Sequence, residues 1–344
     1  MKTKAAVLYR LNTPLVIETL PIPPLTPGQV LVKMLASGIC RSQLNEIKGF
    51  KGTDVFLPHL LGHEGSGIVY SVGSGVTKVK QGDYVVLTWI EGRGLSVQGA
   101  VYRLGNKTIG SGPITTFATH TIVSENRIVK IAKKIPAPVA ALLGCAVTTG
   151  MGIVRHHLRA RPNTSIIVFG IGGVGASSIL GARFAGCKTI IAVDIRKEAL
   201  TFSRTLGATH TILFHEATLM QAVKKFCPRG CDYAIEASGN KQAMEKAIEA
   251  TKDAGQVVIA GNLRRGDKIC LDPFVLIKGK RLEGTWGGET QPDVDIPFYA
   301  KAYRDGTLDL DKLIGRRFTL GEINTALTLL ETNKHYGRMI IEFT

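Results

Sequence analysis

Long apolar runs are missing from this 344-residue sequence. No stretch approaches the roughly 20 apolar residues that a membrane-spanning helix needs, so we expect no transmembrane segment. The first ten residues carry charge but have neither the apolar centre nor the cleavage site of a secretory signal. We therefore expect a cytoplasmic protein whose chain begins with a strand.

Acidic residues are scarce beside basic ones: 27 Asp and Glu stand against 43 Lys and Arg, a formal net charge of +16. Such a charge raises the question of nucleic acid binding. The basic residues are scattered, however, without a basic run or an aromatic-interleaved stripe, and we do not expect nucleic acid binding as the main function. A basic surface also attracts an anionic dinucleotide.

Cysteines are few and do not form a disulfide framework. The six are distributed over the whole chain, and Cys227 and Cys231 are the only close pair. Their spacing differs from the Cys-x-x-Cys of a metal knuckle, so we assign them no function.

The strongest local pattern lies between Thr164 and Asp194. Two short apolar runs, Ser165–Phe169 and Thr189–Val193, flank a glycine-rich turn and a stretch with helical spacing. This strand–turn–helix–strand order, ending on an acid, is the dinucleotide-binding fingerprint in the context that makes it specific. The turn residues expected to bind the cofactor are Gly170, Gly172, Gly173, Val174 and Gly175.

The acid at the end of the second run predicts the choice of cofactor. A carboxylate at Asp194 would accept hydrogen bonds from ribose hydroxyls and repel a 2′-phosphate, so NAD is favoured over NADP. Arg196, two residues later, is a candidate cofactor contact and would meet the 2′-phosphate if NADP were used.

The rhythm of the chain predicts three segments. Residues 1–147 contain short β-type runs separated by turn residues, which is typical of a mostly β domain. Residues 148–287 alternate strands with helices, which predicts a doubly wound parallel sheet of the Rossmann type. Residues 288–344 contain helix-like stretches from Pro297 to Asp305 and from Leu320 to Thr332, followed by a terminal strand, and we expect this tail to return to the first domain.

Three residues of the first segment suggest a metal site. Cys40, His63 and Cys145 supply two thiolates and one imidazole, a zinc ligand set that leaves a fourth position open for substrate. Spacing alone does not establish the site, because Cys145 is remote from the other two.

Motifs around these residues point to a known family. In order, they are Gly-Ile-Cys-Arg-Ser from residue 38, Gly-His-Glu-x-x-Gly-x-Val from residue 62 and Gly-Cys-x-x-x-Thr-Gly from residue 144, followed by the glycine turn. Over essentially its whole length the sequence resembles the zinc-dependent medium-chain dehydrogenase/reductase family, which includes the zinc alcohol dehydrogenases. The resemblance implies a GroES-like catalytic domain beside the Rossmann domain.

The resemblance also implies roles for individual residues. Cys40, His63 and Cys145 would bind the catalytic zinc, Glu64 would lie close to it, and Ser42 would begin a proton relay from the substrate. The residues expected to contact the cofactor or substrate are Arg41 and Arg338 at the pyrophosphate, Thr149 beside the nicotinamide and Trp89 in the substrate pocket.

Three departures from the family pattern stand out. Gln43 occupies the position where many members have an Asp that hydrogen-bonds the ligand His, and an uncharged amide lowers the expected metal affinity. Asn45 replaces the usual outer His of the relay. The chain has no cysteine between Cys40 and Cys145, which excludes the four-cysteine structural zinc loop there, so we expect one zinc per chain.

These features predict an NAD-dependent oxidoreductase that interconverts a primary or secondary alcohol with its aldehyde or ketone. A polyol, sugar or amino-alcohol dehydrogenase on the same scaffold is the alternative, and retention of both cysteines and the histidine argues against a zinc-free reductase. A catalytically lapsed cofactor- or nucleic-acid-binding protein is the non-enzyme alternative. We expect a homo-oligomer, either a dimer or a tetramer.

Overall fold

The computed structural model describes residues 1–343. Its strands, in chain order, are β1 Lys2–Leu8, β2 Val16–Pro21, β3 Gln29–Ile39, β4 His59–Leu60, β5 Glu64–Val72, β6 Tyr84–Thr88, β7 Val101–Leu104, β8 Lys107–Gly110, β9 His120–Ser124, β10 Ile128–Lys130, β11 Ser165–Phe169, β12 Thr189–Asp194, β13 His210–Leu213, β14 Cys231–Glu236, β15 Thr251–Ile259, β16 Arg281–Gly284, β17 Ile314–Phe318 and β18 Arg338–Glu342.

The α-helices among residues 1–343 are fewer than the strands. They are α1 Arg41–Ile47, α2 Ala137–Leu142, α3 Ala146–Gly152, α4 Gly173–Phe184, α5 Lys197–Leu206, α6 Glu216–Phe226, α7 Lys241–Glu249, α8 Phe274–Ile277, α9 Pro292–Arg304 and α10 Ile323–Glu331. One turn of π-helix, Ile153–His157, follows α3.

The chain divides into two compact units. The first contains Met1–Thr148 and Gln291–Thr344, and the second contains Thr149–Thr290. We call the first the β-rich unit and the second the nucleotide unit.

Two sheets form the β-rich unit. One has the strand order β2-β1-β4-β8-β7, and the other has the order β10-β6-β5-β3-β18-β17, with β9 also paired to β3. The C-terminal strand β18 pairs antiparallel with β3, so that Met339 lies opposite Ile39. This pairing places the residues around Arg338 beside the end of β3, from which α1 begins.

The nucleotide unit contains a six-stranded sheet with the order β13-β12-β11-β14-β15-β16, and every pairing in it is parallel. Numbered within the sheet, this order is 3-2-1-4-5-6, in which the direction of winding reverses between β11 and β14. Apolar residues of β11, β12 and β14 form one buried cluster with residues of α6 and α7. The predicted doubly wound parallel sheet is confirmed.

Some elements differ from the sequence-based expectations. The tail helix was expected to begin at Pro297, but α9 begins at Pro292 and contains Pro297. Both prolines suit a first-turn position by local rules, so sequence alone did not separate them. The sequence did not predict the strand β17, because its Arg316 and Arg317 interrupt the apolar pattern on an edge strand.

Among residues 1–343, no helix combines the length and the apolar character that crossing a membrane requires.

Candidate active site

Three side chains from separate parts of the β-rich unit meet at one point. Cys40 is the residue between β3 and α1, His63 directly precedes β5, and Cys145 directly precedes α3. The antiparallel pairing of β3 with β5 brings the first two together. One ligand atom from each of the three residues lies within 4.8 Å of the other two.

The histidine of this group has a ring nitrogen available for a ligand. His63 Nε2 is buried and makes no hydrogen bond to any residue of 1–343, while Nδ1 lies against the side-chain amide of Gln43. A buried polar atom without a partner is costly unless a ligand meets it. Two sulfurs and one such nitrogen fit a zinc ion, which accepts this set with a fourth position left open.

The two thiols of the group differ in acidity. Hydrogen bonding from the Cys145 thiol, helped by the charges of Arg338 and His63, holds the pKa of Cys40 well below its usual value against the opposing effect of burial. The same hydrogen bond together with burial raises the pKa of Cys145. Cys40 is therefore the more acidic of the two thiols, and both thiols must be deprotonated to bind a cation.

Gln43 uses both ends of its amide. Its Oε1 accepts a hydrogen bond from the Cys40 backbone N–H at 3.2 Å, and its nitrogen faces His63 Nδ1. When His63 binds a metal through Nε2, its Nδ1 carries the proton and must donate it to an acceptor. Gln43 would then have to present its amide oxygen to Nδ1 in place of its nitrogen. The amide has only one oxygen for these two donors, whereas a carboxylate would have one for each.

A buried ion pair lies next to the three ligands. Glu64 follows His63 and is fully buried, and its Oε1 accepts a 2.6 Å hydrogen bond from Arg338 Nε. Its Oε2 accepts from the Ala146 backbone N–H, one residue beyond Cys145. Burial raises the pKa of Glu64 although Arg338 opposes the shift. Burial alone would lower the pKa of Arg338, but the nearby charges of Cys40 and Glu64 raise this pKa by more than burial lowers it. The guanidinium therefore stays charged.

Two glycines allow this crowding. A Cβ on Gly38 would collide with the carboxylate of Glu64, and a Cβ on Gly144 would collide with the Leu87 carbonyl oxygen and approach the Glu64 backbone. In the motifs these glycines stand just before Cys40 and Cys145. Because they have no side chain, Glu64 at the start of β5 can pack close to both cysteine ligands.

The remaining candidates in this unit occupy less buried positions. Ser42 is the second residue of α1 and is half-buried. Arg41 donates to the Leu330 carbonyl oxygen at 2.7 Å and to Asn333 Oδ1 at 2.6 Å. The Trp89 ring lies edge-on to His63, with ring centroids 6.3 Å apart. Their roles in proton relay, pyrophosphate binding and substrate contact stay predictions.

The glycine turn of the nucleotide unit has the geometry its sequence predicts. Gly170 has φ +83°, and a Cβ there would collide with Ser238. A Cβ on Gly175 would collide with the Gly170 carbonyl oxygen, so α4 packs directly on the turn. A Cβ on Gly172 would meet nothing within 4 Å. Gly173 and Val174 begin α4, whose N-cap residue Gly172 has no side-chain cap. Open space beside uncapped N–H groups suits a pyrophosphate.

Asp194 ends β12 beside this turn and is buried. Its Oδ2 accepts from the Ile171 backbone N–H at 2.8 Å, and its Oδ1 accepts from the Arg196 backbone N–H at 3.0 Å. The Arg196 side chain also contacts it, with Nε 3.1 Å from Oδ1. Arg196, the candidate contact for a 2′-phosphate of NADP, is thus paired with Asp194, whose carboxylate would repel that phosphate.

Two more polar residues of this unit suggest ligand contact. Thr149 Oγ1 is buried and has no hydrogen-bond partner within residues 1–343. Sequence reasoning missed Glu236, which ends β14 and pairs with Phe169 across the point where the winding reverses. Burial raises the pKa of Glu236 to about 7, against hydrogen bonds from Ser238 and the Gly239 backbone. The sequence did contain a pattern that could have identified Glu236: like Asp194, it is an acidic residue at the C-terminal end of an apolar strand.

Comparison with known proteins supports the same reading of both units. The family model described as "Alcohol dehydrogenase GroES-like domain" matches residues 26–133, and the model described as "Zinc-binding dehydrogenase" matches residues 173–300. A curated S-(hydroxymethyl)glutathione dehydrogenase of Synechocystis sp. is 31% identical, covering 99% of this chain and 100% of its own.

Solved structures agree over the whole chain. An alcohol dehydrogenase zinc-binding domain protein from Burkholderia ambifaria has a TM-score of 0.92 at 28% identity, covering 100% of this chain and 99% of its own. Benzyl alcohol dehydrogenase from Acinetobacter calcoaceticus has a TM-score of 0.89 at 28% identity, covering 100% of both chains. With the Cys–His–Cys group in the β-rich unit and the glycine turn in the nucleotide unit, the chain belongs to the zinc-dependent medium-chain dehydrogenase/reductase family.

Proposed function

We propose that this protein catalyses the zinc-dependent, NAD-linked interconversion of an alcohol with its aldehyde or ketone. The observation that carries the proposal is the meeting of Cys40, Cys145 and the unpartnered Nε2 of His63. A structural zinc site would use a fourth protein ligand, whereas a catalytic one keeps that position open. Within residues 1–343, this group offers three ligands.

The chemistry divides between the bound groups and the chain. Zinc would lower the pKa of an alcohol, and the nicotinamide would accept the hydride. Cys40, His63 and Cys145 would hold the metal, and Glu64, next to His63, holds the Ala146 N–H next to Cys145 and is itself held by Arg338. Ser42, two residues after Cys40, would take the proton from the substrate hydroxyl, and it needs little basicity once that proton is acidic.

NAD is the proposed cofactor. Asp194 is anchored by the Ile171 N–H beside the glycine turn, and a fixed carboxylate there accepts from ribose hydroxyls and repels a 2′-phosphate. The pairing of Arg196 with Asp194 leaves less of its charge for a phosphate.

The substrate proposal follows from the position of Trp89. An indole beside the ligand His63 narrows the space next to the metal and favours short or flat alcohols. The name of one structural relative, benzyl alcohol dehydrogenase, fits a flat substrate. The name of the curated relative, S-(hydroxymethyl)glutathione dehydrogenase, suggests a thiol adduct instead. A cytoplasmic location and a dimeric or tetrameric assembly stay predictions.

The test is a substrate screen on protein whose zinc content has been measured. Reduced-nicotinamide absorbance would be followed with NAD and with NADP on aliphatic, aromatic, polyol and amino alcohols, and on S-(hydroxymethyl)glutathione. We expect at least one zinc per chain and turnover with NAD on a short or aromatic alcohol.

Three other results would redirect the proposal. Preference for a polyol or an amino alcohol would move the substrate class, and faster turnover with NADP would overturn the choice of cofactor. Zinc-free protein without turnover would favour the lapsed binding protein, and filter binding of labelled DNA and RNA would then test the nucleic acid alternative.

A further inference from the structure

A second group of metal-binding side chains lies in the β-rich unit and takes no part in the proposed reaction. Glu46 on α1, Asp54 in the following loop and His59 on β4 each bring one ligand atom to within 4.8 Å of the others. Within residues 1–343, this group and the Cys40–His63–Cys145 group are the two that meet this condition.

The hydrogen bonds of His59 define which nitrogen is available. Nδ1 lies 2.8 Å from the Leu60 carbonyl oxygen. A carbonyl oxygen can only accept, so Nδ1 carries the proton and donates it, and a neutral ring then has its lone pair on Nε2. That nitrogen lies 2.8 Å from Asp54 Oδ2 and 3.9 Å from Glu46 Oε1. A lone pair facing two carboxylates requires a positive charge between them, either a proton or a metal ion.

The charges around the group leave room for a cation. Lys51 Nζ lies 2.7 Å from Glu46 Oε2 and neutralises one carboxylate. The side chains of His59 and Asp54 are only 9% and 11% exposed, so water compensates the Asp54 charge poorly. The other carboxylate oxygen of Glu46, Oε1, is the one that faces His59.

The donor atoms indicate which cation would fit. One imidazole nitrogen and two carboxylate oxygens suit a borderline divalent ion such as Zn²⁺ or Co²⁺, and they lack the thiolates of the first group. Tetrahedral bonds of about 2.1 Å separate neighbouring ligand atoms by roughly 3.4 Å. Asp54, on a loop, would need to move less than about 1 Å from its present contact with His59 to admit such an ion.

We propose that Glu46, Asp54 and His59 bind a second divalent cation of the zinc type. This ion joins α1, which begins directly after Cys40, to β4, which ends three residues before His63. It therefore clamps together the two segments that carry the first and second ligands of the catalytic group. Its role is structural, and it adds one metal equivalent to the single zinc predicted from the sequence.

The first experiment counts metal. The full-length protein, a His59→Gln variant, an Asp54→Asn variant and a His120→Gln control are dialysed against buffered Zn²⁺, and bound zinc is measured per chain. We expect two equivalents in the unmodified protein and in the control, and one in the other two variants. One equivalent throughout means that His59 and Asp54 form a proton-bridged ion pair only, and the proposal is then wrong.

The second experiment identifies the ligands by spectroscopy. Co²⁺ is added to the apoprotein in steps, because cobalt bound to thiolate gives a sulfur-to-metal charge-transfer band and cobalt bound to nitrogen and oxygen gives only weak d–d bands. We expect one equivalent to produce the charge-transfer band and a second to add d–d absorption alone. A band that keeps growing through the second equivalent would place that ion on sulfur, such as the buried Cys227–Cys231 pair, and would refute the assignment.

A third measurement covers variants that fold poorly. Thermal unfolding is followed with one and with two equivalents of Zn²⁺ per chain. The second equivalent is expected to raise the Tm of the unmodified protein and to leave that of Asp54→Asn, which keeps the shape of the side chain, unchanged. Equal rises in both proteins would contradict the site, whatever the activity of the enzyme.

Discussion

The two units build their sites in opposite ways. The nucleotide unit takes its turn, helix and acid from one continuous stretch that ends at Asp194, whereas the β-rich unit collects ligands from residues 40, 63 and 145 and their supporting ion pair from residues 64 and 338. A contiguous motif carries its geometry in backbone conformation, which local sequence fixes. A dispersed site depends on strand pairing, here that of β3 with β5 and β18.

Because the two sites are built from different units, a mutation in one unit should impair only the binding site of that unit. A change in the β-rich unit should abolish metal binding and leave dinucleotide binding intact, and a change in the nucleotide unit should do the reverse.

The largest effect is expected at the metal ligands. Cys145→Ser should lose the one zinc equivalent shared with Cys40 and His63 and lower kcat/KM by about 10³-fold or more, because several kcal/mol of transition-state stabilisation disappear with that metal. NAD affinity, measured by fluorescence titration, should stay within about twofold. Cys187→Ser, at a buried thiol of the nucleotide unit, is the matched control and should keep its zinc. A Cys145→Ser protein that binds as many zinc equivalents as the unmodified protein would break the assignment of ligands.

A pH-dependent stability is expected from Glu236. Its pKa is about 7 when folded, above the 4.5 of an exposed Glu, so the folded state holds a proton that the unfolded state has released between these values. The free energy of unfolding should therefore fall as pH rises from about 4.5 to 7, by up to about 3 kcal/mol, and then level off.

The measurement is denaturant unfolding of the unmodified protein and of Glu236→Gln at pH 5 and pH 8. The neutral variant should lack this contribution, so the difference between the two proteins should change with pH. Glu216→Gln, at the exposed start of α6, serves as the control. An identical pH profile in Glu236→Gln would show that the carboxyl is ionised throughout.

Cofactor selectivity tests the local motif. Asp194→Gly should reduce kcat/KM for NAD by about 10- to 100-fold, the value of hydrogen bonds to a charged group, and should affect NADP less. Zinc content should not change, because Asp194 lies in the other unit from the ligands. Thermal unfolding checks for damage, since Asp194 also holds the Ile171 N–H. An equal loss for both cofactors would remove Asp194 from the choice between them.

The smallest effect is expected next to His63. Gln43→Asp supplies an oxygen to both the Cys40 N–H and His63 Nδ1, so zinc affinity should rise by about 10-fold in competition with a chelator. Asn45→Asp adds the same charge two residues along α1, about 200° around the helix from Gln43, and controls for electrostatics alone. Equal gains in the two variants would show that charge, and not the hydrogen bond, sets the affinity.

Sequence reasoning predicted the strands, the glycine turn and the helix of the nucleotide unit because these parts are neighbours in the chain, and the cofactor contacts of their residues stay predictions. In the β-rich unit it named Cys40, His63 and Cys145, but only through residue types and a family resemblance, since no spacing rule connects residue 145 to residue 40. It missed Glu236, whose significance depends on burial at the point where β11 and β14 diverge. It assigned Arg338 to a pyrophosphate, and the structure shows its pairing with Glu64.

The sequence by itself therefore determined the parallel sheet, the glycine turn and the kinds of donor at the metal. Only the tertiary structure decided that the Gln43 amide oxygen accepts from the Cys40 N–H and that Arg338 pairs with Glu64. It also decided that Glu46, Asp54 and His59 lie together. The physical reason is that backbone conformation follows from neighbouring residues, whereas the partner of a buried polar side chain is set by whichever distant segment packs against it.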